Sequence, residues 1–454
     1  MEIANLKNVY FIGIGGIGMS AIARYFRERG VSVSGYDLHP SSLTRQLEGE
    51  GISIHYREDP SLADRKAELV VYTPAIPGDH LELTYFRENG YPLKKRSEVL
   101  QEITRDLFSI TVAGTHGKTT ISTLIAHILR SSGYGCNAFL GGISVNYQTN
   151  YWSSSNPVAV IEADEFDRSF LRLTPDIAVL TAMDPDHLDI YGTEEVMEEA
   201  FIEFTARVRR DGWLISKKGL RREKNFKADQ TLSYSLEDHN ADIHGKDIRL
   251  TPEGYHFNVV EGPWDLGGVT LQLGGLHNVE NAVAAVGVAH RLGIRCEEIR
   301  EAVAGFRGVK RRFEFILRDQ ERVYIDDYAH HPEELKALIL GARQLFPGMP
   351  CTVIFQPHLF TRTRDLALGF AQSLELADRT ILLPVYPARE KPIEGVNSGM
   401  IASLMQSGSV ELMGQQACME WLRTHPVQLL ITCGAGDVDQ LVDPIRIILQ
   451  NQKS

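Results

Sequence analysis

The segment Gly114-Thr115-His116-Gly117-Lys118-Thr119-Thr120 lies between an apolar run, 107–112, and a stretch where Ile121, Leu124, Ile125, Ile128 and Leu129 recur at helical spacing. The first run reads as a buried strand and the second as an amphipathic helix. Gly133 closes that helix where a left-handed cap is wanted. Strand, glycine loop, Lys-Thr and helix in this order predict an anion site. Free backbone N–H groups and the positive helix end face a phosphate chain, Lys118 reaches the terminal phosphates, and the Thr119 hydroxyl can ligate Mg²⁺. A nucleoside triphosphate is therefore the expected partner. The spacing departs from G-x-x-x-x-G-K-[ST], because Val112 stands where that pattern has glycine and only two residues separate Gly114 from Gly117. The competing reading is a glycine-rich turn beside a chance Lys-Thr pair.

Working outward, 454 residues predict about three domains of ordinary size. A hydrophobic share of 43% with 23% charged residues is a globular composition with ample core. A net charge of −12 argues against nucleic acid or an anionic membrane surface as the main partner. The start, MEIANLKNVYFIGIGG, has no cleavable apolar core, and no stretch approaches 18 uncharged apolar residues, so no membrane span is expected. Cys136, Cys296, Cys351, Cys418 and Cys433 are odd in number and form no CxxC, which fits reduced, mostly buried thiols in a cytoplasmic protein.

Three α/β segments follow. In 1–104, a short apolar strand runs into Gly13, Gly15, Gly16 and Gly18 ahead of a helical run, and a second strand delivers Asp37. This is a nucleotide-binding βαβ fingerprint, for which a NAD(P) site and a purely structural turn are competitors. In 105–308, apolar strands end in Glu162-Ala163-Asp164-Glu165 and in Asp184-Pro185-Asp186-His187-Leu188-Asp189. Carboxylates and a histidine at strand ends beside a phosphate loop suit Mg²⁺ ligation and water positioning, with solvated loops as the alternative. Residues 230–275 read as small antiparallel hairpins. His277, Asn278 and Asn281 open an Ala/Val-rich helix, either as caps or as hydrogen-bonding partners of a base. In 309–454, ionisable residues again sit just past strand ends, in Asp326-Asp327-Tyr328-Ala329-His330-His331-Pro332 and in Gln356-Pro357-His358 followed by Thr361-Arg362-Thr363-Arg364. The run Lys310-Arg311-Arg312 reads as a solvated charged face.

Taken in order, GIGGIGMS at 13–20, GTHGKTT, EADE, DPDHLD, HNVENA at 277–282, GVKRRFE at 308–314, DDYAHHP and FQPHLFTRTR at 355–364 resemble the Mur ligases, and within them the alanine-adding branch. The resemblance spans nearly the whole chain, and the shortened phosphate loop is the form that family uses. It implies a Rossmann-like N-terminal domain for the UDP part of a sugar nucleotide, a central P-loop ATPase with a small antiparallel sheet, and a Rossmann-like C-terminal domain admitting an amino acid. The implied reaction is ATP-dependent amide formation between the lactyl carboxylate of UDP-N-acetylmuramate and L-alanine, in peptidoglycan synthesis. By position, Gly15, Gly16, Ile17 and Gly18 would approach the diphosphate and Asp37 the uridine. Lys118 would hold the β- and γ-phosphates, Thr119 and Glu162 would ligate Mg²⁺, and His187 would serve a second metal. Asn278 and Asn281 would border adenine and Asp327 the ribose. Tyr328, His330 and Arg362 would face the carboxylate, the amino acid and the transferring phosphate. A monomer or weak homodimer is expected.

Two departures bear on this. Many alanine-adding relatives carry arginine where Leu359 stands, so one expected cation is missing, with Arg364 as a candidate replacement. No lysine lies between Asp189 and Trp213, where several sister ligases carry a carbamylated lysine, and this favours the alanine-adding branch. Three rivals remain: a recycling ligase that joins a preformed peptide to the same sugar nucleotide, a NAD-dependent dehydrogenase, and a non-catalytic nucleotide-regulated binding protein. The dehydrogenase leaves the phosphate loop and the strand-end acids without a role.

Overall fold

The computed structural model describes residues 3–185, 188–251, 253–388 and 390–452, and the fold is mixed α/β built on three sheets. The first sheet has five parallel strands in spatial order Ser53–His55, Ser32–Tyr36, Asn8–Ile12, Leu69–Tyr72, Leu93–Lys95. Its middle strand feeds the glycine loop, and the helix Ile17–Glu28 starts directly after it. Asp37 follows the neighbouring strand, so loop and carboxylate arrive at the same sheet end.

The second sheet has ten strands, with Phe108–Ala113 flanked by Ile177–Leu180 and Val158–Glu162, both parallel to it. These strands are apolar and buried along nearly their whole length, as a parallel sheet covered on both faces requires. Glu162 ends one strand, Gly114 follows another and Thr181 the third, which brings all three to one end of the sheet. On the helix Lys118–Ser131, Ile121, Leu124, Ile125, Ile128 and Leu129 are all at most 1% exposed. Each such side chain contributes about 1.5–3 kcal/mol of burial. Gly133 ends this helix with φ +76°, the left-handed cap expected.

The reading of 230–275 as small antiparallel hairpins is corrected for its first strands by the pairing. Gln230–Ser235 lies parallel to Trp213–Lys217, and Ile243–Thr251 parallel to Gln230–Ser235, so the segment extends the central sheet. Alternation identifies strands but not partners. The connection across 218–229, which includes the turn Glu223–Asn225, returns the chain to the starting end and makes the next strand parallel.

The third sheet runs Glu314–Arg318, Val323–Asp327, Leu429–Cys433, Cys351–Phe355, Arg379–Leu382, Ser409–Leu412. Only its first strand is antiparallel. Alternate residues serve two cores, with Val323 and Ile325 on one face and Tyr324 on the other.

Two compact units emerge. One comprises Met1–Asp247, Phe257–Val269 and Glu280–Phe306, and the other Ile248–His256, Thr270–Val279 and Arg307–Ser454. The first sheet and the second sheet's strands from Phe108 to Ser235 lie in the first unit, where Tyr25 packs on Phe139 and Tyr151. All five cysteines are free, and four are buried. Among the described residues no helix is long and apolar enough to cross a membrane.

Candidate active site

In the first unit two loops carry the candidate chemistry. Gly114 has φ +123°, and a Cβ there would run into Thr181 and Ala182. Gly117, at φ +77°, caps the helix Lys118–Ser131. The loop is tied to its neighbour by Thr115 N–H donating to Ala182 O (3.1 Å), Asp184 N–H donating to Thr115 Oγ1 (3.1 Å), and the Thr181 hydroxyl donating to His116 O. The exposed His116 ring stands 3.6 Å from the Asp184 carboxylate.

Lys118 Nζ donates to Gly114 O at 2.7 Å and lies 2.8 Å from both oxygens of Glu165. Glu165 is 1% exposed, and burial pushes its carboxyl above the usual range while Lys118 draws it down. Thr119 Oγ1 donates to Glu162 Oε1 (3.0 Å), and Glu162 Oε2 accepts the Gly141 N–H (3.0 Å). Thr120 is half-buried in the first turn of the helix. Asn281 faces the loop, since a Cβ on Gly117 would lie 2.7 Å from its Oδ1. His187 lies outside the described residues.

At the other loop, Gly13 has φ +83°, and Gly16 N–H donates back to Gly13 O (3.2 Å). Asp37 accepts from Gly15 N–H (2.7 Å) and Leu38 N–H (2.8 Å), so the carboxylate holds the loop as well as standing at the sheet end. Gly18 leaves room for the Arg96 guanidinium, which pairs with Asp164 at 3.4 Å. Asn150, fully buried, donates to Ile17 O (2.6 Å) and Ser20 Oγ (3.0 Å) and accepts from Arg24. A cleft of about 90 Å³ runs here, lined among others by Gly18, Arg96, Gly141, Glu162 and Asp164. The segment 162–165 therefore meets one loop directly, through Glu162 and Glu165, and reaches the other through the Asp164–Arg96 pair beside Gly18.

In the second unit, Asn278, in the first turn of the helix Leu276–Arg291, donates to Gly274 O just before it (2.7 Å). Both Asp327 oxygens accept backbone N–H groups, from Phe313 (2.6 Å) and Ala329 (2.7 Å), and burial raises its carboxyl. His330 Nδ1 is 2.9 Å from Tyr328 O, which can only accept, so the proton sits on Nδ1 and the Nε2 lone pair is left as an acceptor. Burial lowers His330 and takes His358 down to about 4. Their rings stand 6.4 Å apart, and the positive charge of Arg362 acts on both. Leu359 adopts φ +69° just before the helix Phe360–Asp365 that carries Arg362.

The 310–312 run corrects the solvated-face reading at its centre. Lys310 and Arg312 are exposed, but Arg311 pairs with buried Asp326 at 3.1 Å and lies over the Tyr328 ring at 5.2 Å. Asp326 is raised to about 7 by burial, against the pull of Arg311. A charge run shows its sign in sequence but not which member finds a buried partner. Arg96 and Asn150, and the partners of Asp164 and Glu165, are likewise not read from the sequence. EADE places both acids at a strand end, but nothing there names Lys118 or Arg96 as the partner.

Three family profiles tile the chain: "Mur ligase family, catalytic domain" over 8–107, "Mur ligase middle domain" over 112–289, and "Mur ligase, glutamate ligase domain" over 311–436. The chain belongs to the Mur ligase family. A UDP-N-acetylmuramate–L-alanine ligase of Porphyromonas gingivalis (strain ATCC BAA-308 / W83) is 47% identical over 98% of this Mur ligase and 99% of the relative. The solved UDP-N-acetylmuramate–alanine ligase of Thermotoga maritima superposes with a TM-score of 0.85 at 26% identity, covering 98% of this chain and 100% of that one. A murein peptide ligase of Psychrobacter arcticus shares the fold, with a TM-score of 0.67 at 22% identity over 99% of this chain and 100% of that one.

Proposed function

We propose that this Mur ligase joins L-alanine to the lactyl carboxylate of UDP-N-acetylmuramate at the expense of ATP, releasing ADP and phosphate, as a cytoplasmic step of peptidoglycan synthesis. The observation that carries this reading is that residues 162–165 link the two glycine loops of one compact unit, one through Glu162 and Glu165 and the other through Asp164 and Arg96. The 47% relative, matched end to end, supports the alanine-adding branch over the peptide-recycling one. Residues 1–104 form a Rossmann-like domain for the sugar nucleotide, 105–308 a P-loop ATPase, and 309–454 a Rossmann-like domain that admits the amino acid.

A carboxylate does not acylate an amine at neutral pH, because hydroxide is a poor leaving group. Transfer of the γ-phosphoryl group to the lactyl oxygen solves this, but two anions must first approach each other. Lys118 and the helix N-terminal amides hold the β- and γ-phosphates and offset their charge. Thr119 and Glu162 present hard oxygen donors within 3.0 Å of each other, a set that fits Mg²⁺. When bound, Mg²⁺ neutralises charge on the transferring phosphoryl group; His187 would serve a second metal ion. The glycine loop from Gly15 to Gly18 receives the diphosphate, with Asp37 toward uridine. Asn278 and Asn281 border adenine, and Asp327 turns its remaining lone pairs to the ribose. Tyr328 and Arg362 orient the reacting groups, and neutral His330 takes a proton at Nε2 from the attacking amine.

The test is phosphate release from ATP and Mg²⁺ with UDP-N-acetylmuramate and, separately, L-alanine, L-serine, glycine or a muropeptide tripeptide. Release that requires the sugar nucleotide and is fastest with L-alanine is expected. Release only with the tripeptide moves the protein to the recycling branch, and no release with any acceptor refutes the ligase reading.

A further inference from the structure

The amine of Lys118 has three N–H donors, and two of the directions around it are already taken. Gly114 O lies at 2.7 Å, and the Glu165 carboxylate at 2.8 Å from each of its oxygens. Lys118 is 14% exposed along its side chain and Glu165 1%, so this pair is screened from water. Glu165 is itself well fixed. It heads the turn Phe166–Arg172, and its carbonyl accepts from Tyr191 OH at 2.7 Å and from Arg168 N–H at 3.0 Å. The Arg168 guanidinium lies over the Tyr191 ring at 5.2 Å, closing the far side of that anchor.

We propose that Glu165 is the positioning residue of the phosphate site, fixing Lys118 Nζ between itself and Gly114 O so that the third N–H is left to the transferring phosphoryl group. This rests on the ligase reading above. A flexible four-carbon side chain otherwise reaches the phosphates through many rotamers, and its charge is placed only while ATP is there to hold it. With Glu165 and Gly114 O in place, the ammonium is oriented before ATP arrives, and no reorganisation is needed as charge develops. Glu165 touches no substrate, and its effect passes through Lys118 alone. Losing a stabilising cation outright costs on the order of 10²–10³ in rate. Removing only its anchor leaves the cation present but loose, so a smaller loss is expected.

The experiment compares Glu165→Ala, Glu165→Gln and Glu165→Asp with the unaltered protein in the alanine-dependent phosphate-release assay. Binding of AMPPNP with Mg²⁺ is measured by calorimetry, and folding by the melting temperature. Glu165→Ala should lower kcat by roughly 10- to 100-fold, with the KM for ATP and the AMPPNP Kd changed less than about threefold. Glu165→Gln, which keeps an acceptor at the same reach, should recover most of the lost kcat. Glu165→Asp, one methylene short, should not. Unchanged kcat in Glu165→Ala, a loss confined to KM, or equal loss in all three variants overturns the proposal. A purely structural role would lower the melting temperature and leave the Gln and Asp variants alike. If the unaltered protein binds AMPPNP but turns over no acceptor, the ligase reading alone fails. Positioning is then decided by a crystal structure of Glu165→Ala, where Lys118 leaving Gly114 O supports it and Lys118 remaining there overturns it.

Discussion

Gly117 and Gly133 sit at the two ends of the helix Lys118–Ser131 with nearly the same backbone, φ +77° and +76°, yet a side chain at each would meet different surroundings. A Cβ on Gly133 has no heavy atom within 4 Å, whereas one on Gly117 would lie 2.7 Å from Asn281 Oδ1. Placing alanine in this left-handed region costs about 1–2 kcal/mol at either site. Gly117→Ala carries a second cost, because a carbon and an oxygen rest at roughly 3.3 Å or more, so loop or Asn281 must yield by about half an ångström. That shift falls on the loop that presents amide groups to the phosphates, where a displacement of about 1 Å can cost ~10²-fold. Both variants should therefore lose stability in urea unfolding, Gly117→Ala at least as much as Gly133→Ala. Calorimetric titration with AMPPNP and Mg²⁺ should separate them: Kd rises at least tenfold, about 1.4 kcal/mol, in Gly117→Ala and less than about twofold in Gly133→Ala. If Gly133→Ala weakens binding as much, or Gly117→Ala binds like the unaltered protein, the loop does not receive the nucleotide as argued.

Lys118→Ala should lower kcat for alanine-dependent phosphate release on the order of 10²–10³, and retention of full turnover would contradict its assigned place at the phosphates. Chelation with EDTA should abolish phosphate release, and added Mg²⁺ should restore it; turnover that persists in EDTA removes Thr119 and Glu162 from metal binding. Buried His127, with Nδ1 2.9 Å from Tyr147 OH and Nε2 2.9 Å from Ala302 O, is lowered by burial from 6.5 to about 4. The unfolded chain thus holds more protons between those values, so stability present above pH 6.5 is lost as pH falls through 4. The gap is worth about 3 kcal/mol at 1.36 kcal/mol per pH unit. Urea midpoints at pH 7.5 and 5 should fall further apart in the unaltered protein than in His127→Gln, and equal falls would refute the assignment.

The strand–loop–helix at 108–131 was legible because its signals are local: an apolar run, two glycines, a Lys-Thr pair and a 3.6-residue period all lie within about two dozen residues. The same holds for the glycine loop before Ile17–Glu28 and for the strands that deliver Glu162 and Asp327. Partnership was not legible. Gln230–Ser235 has the pattern of a strand in any sheet, and only its crossover makes it a parallel neighbour of Trp213–Lys217. Arg311 reads like Lys310 and Arg312, but Asp326, fifteen positions on, draws it inward. Asn150, on the short strand Thr149–Trp152, gives no sign that its amide meets Ile17 and Ser20 more than 100 residues away.

These long-range pairs share a physical logic. Asn150 fixes Ile17 from the strand Thr149–Trp152, which pairs with Asn137–Ser144, and Gly141 of that second strand donates to Glu162. Glu162 accepts from Thr119, Glu165 holds Lys118, and Asp164 pairs with Arg96 against Gly18. A chain of hydrogen bonds, strand pairing and an ion pair therefore links the surroundings of one glycine loop to the other within a single compact unit. Each loop alone is an ordinary anion site that many folds could offer. Phosphoryl transfer between two anions needs their separation held to a fraction of an ångström before the cations can act. On the proposed reading, the hairpin and the four residues 162–165 would set that spacing, with two glutamates and an aspartate placed around the lysine.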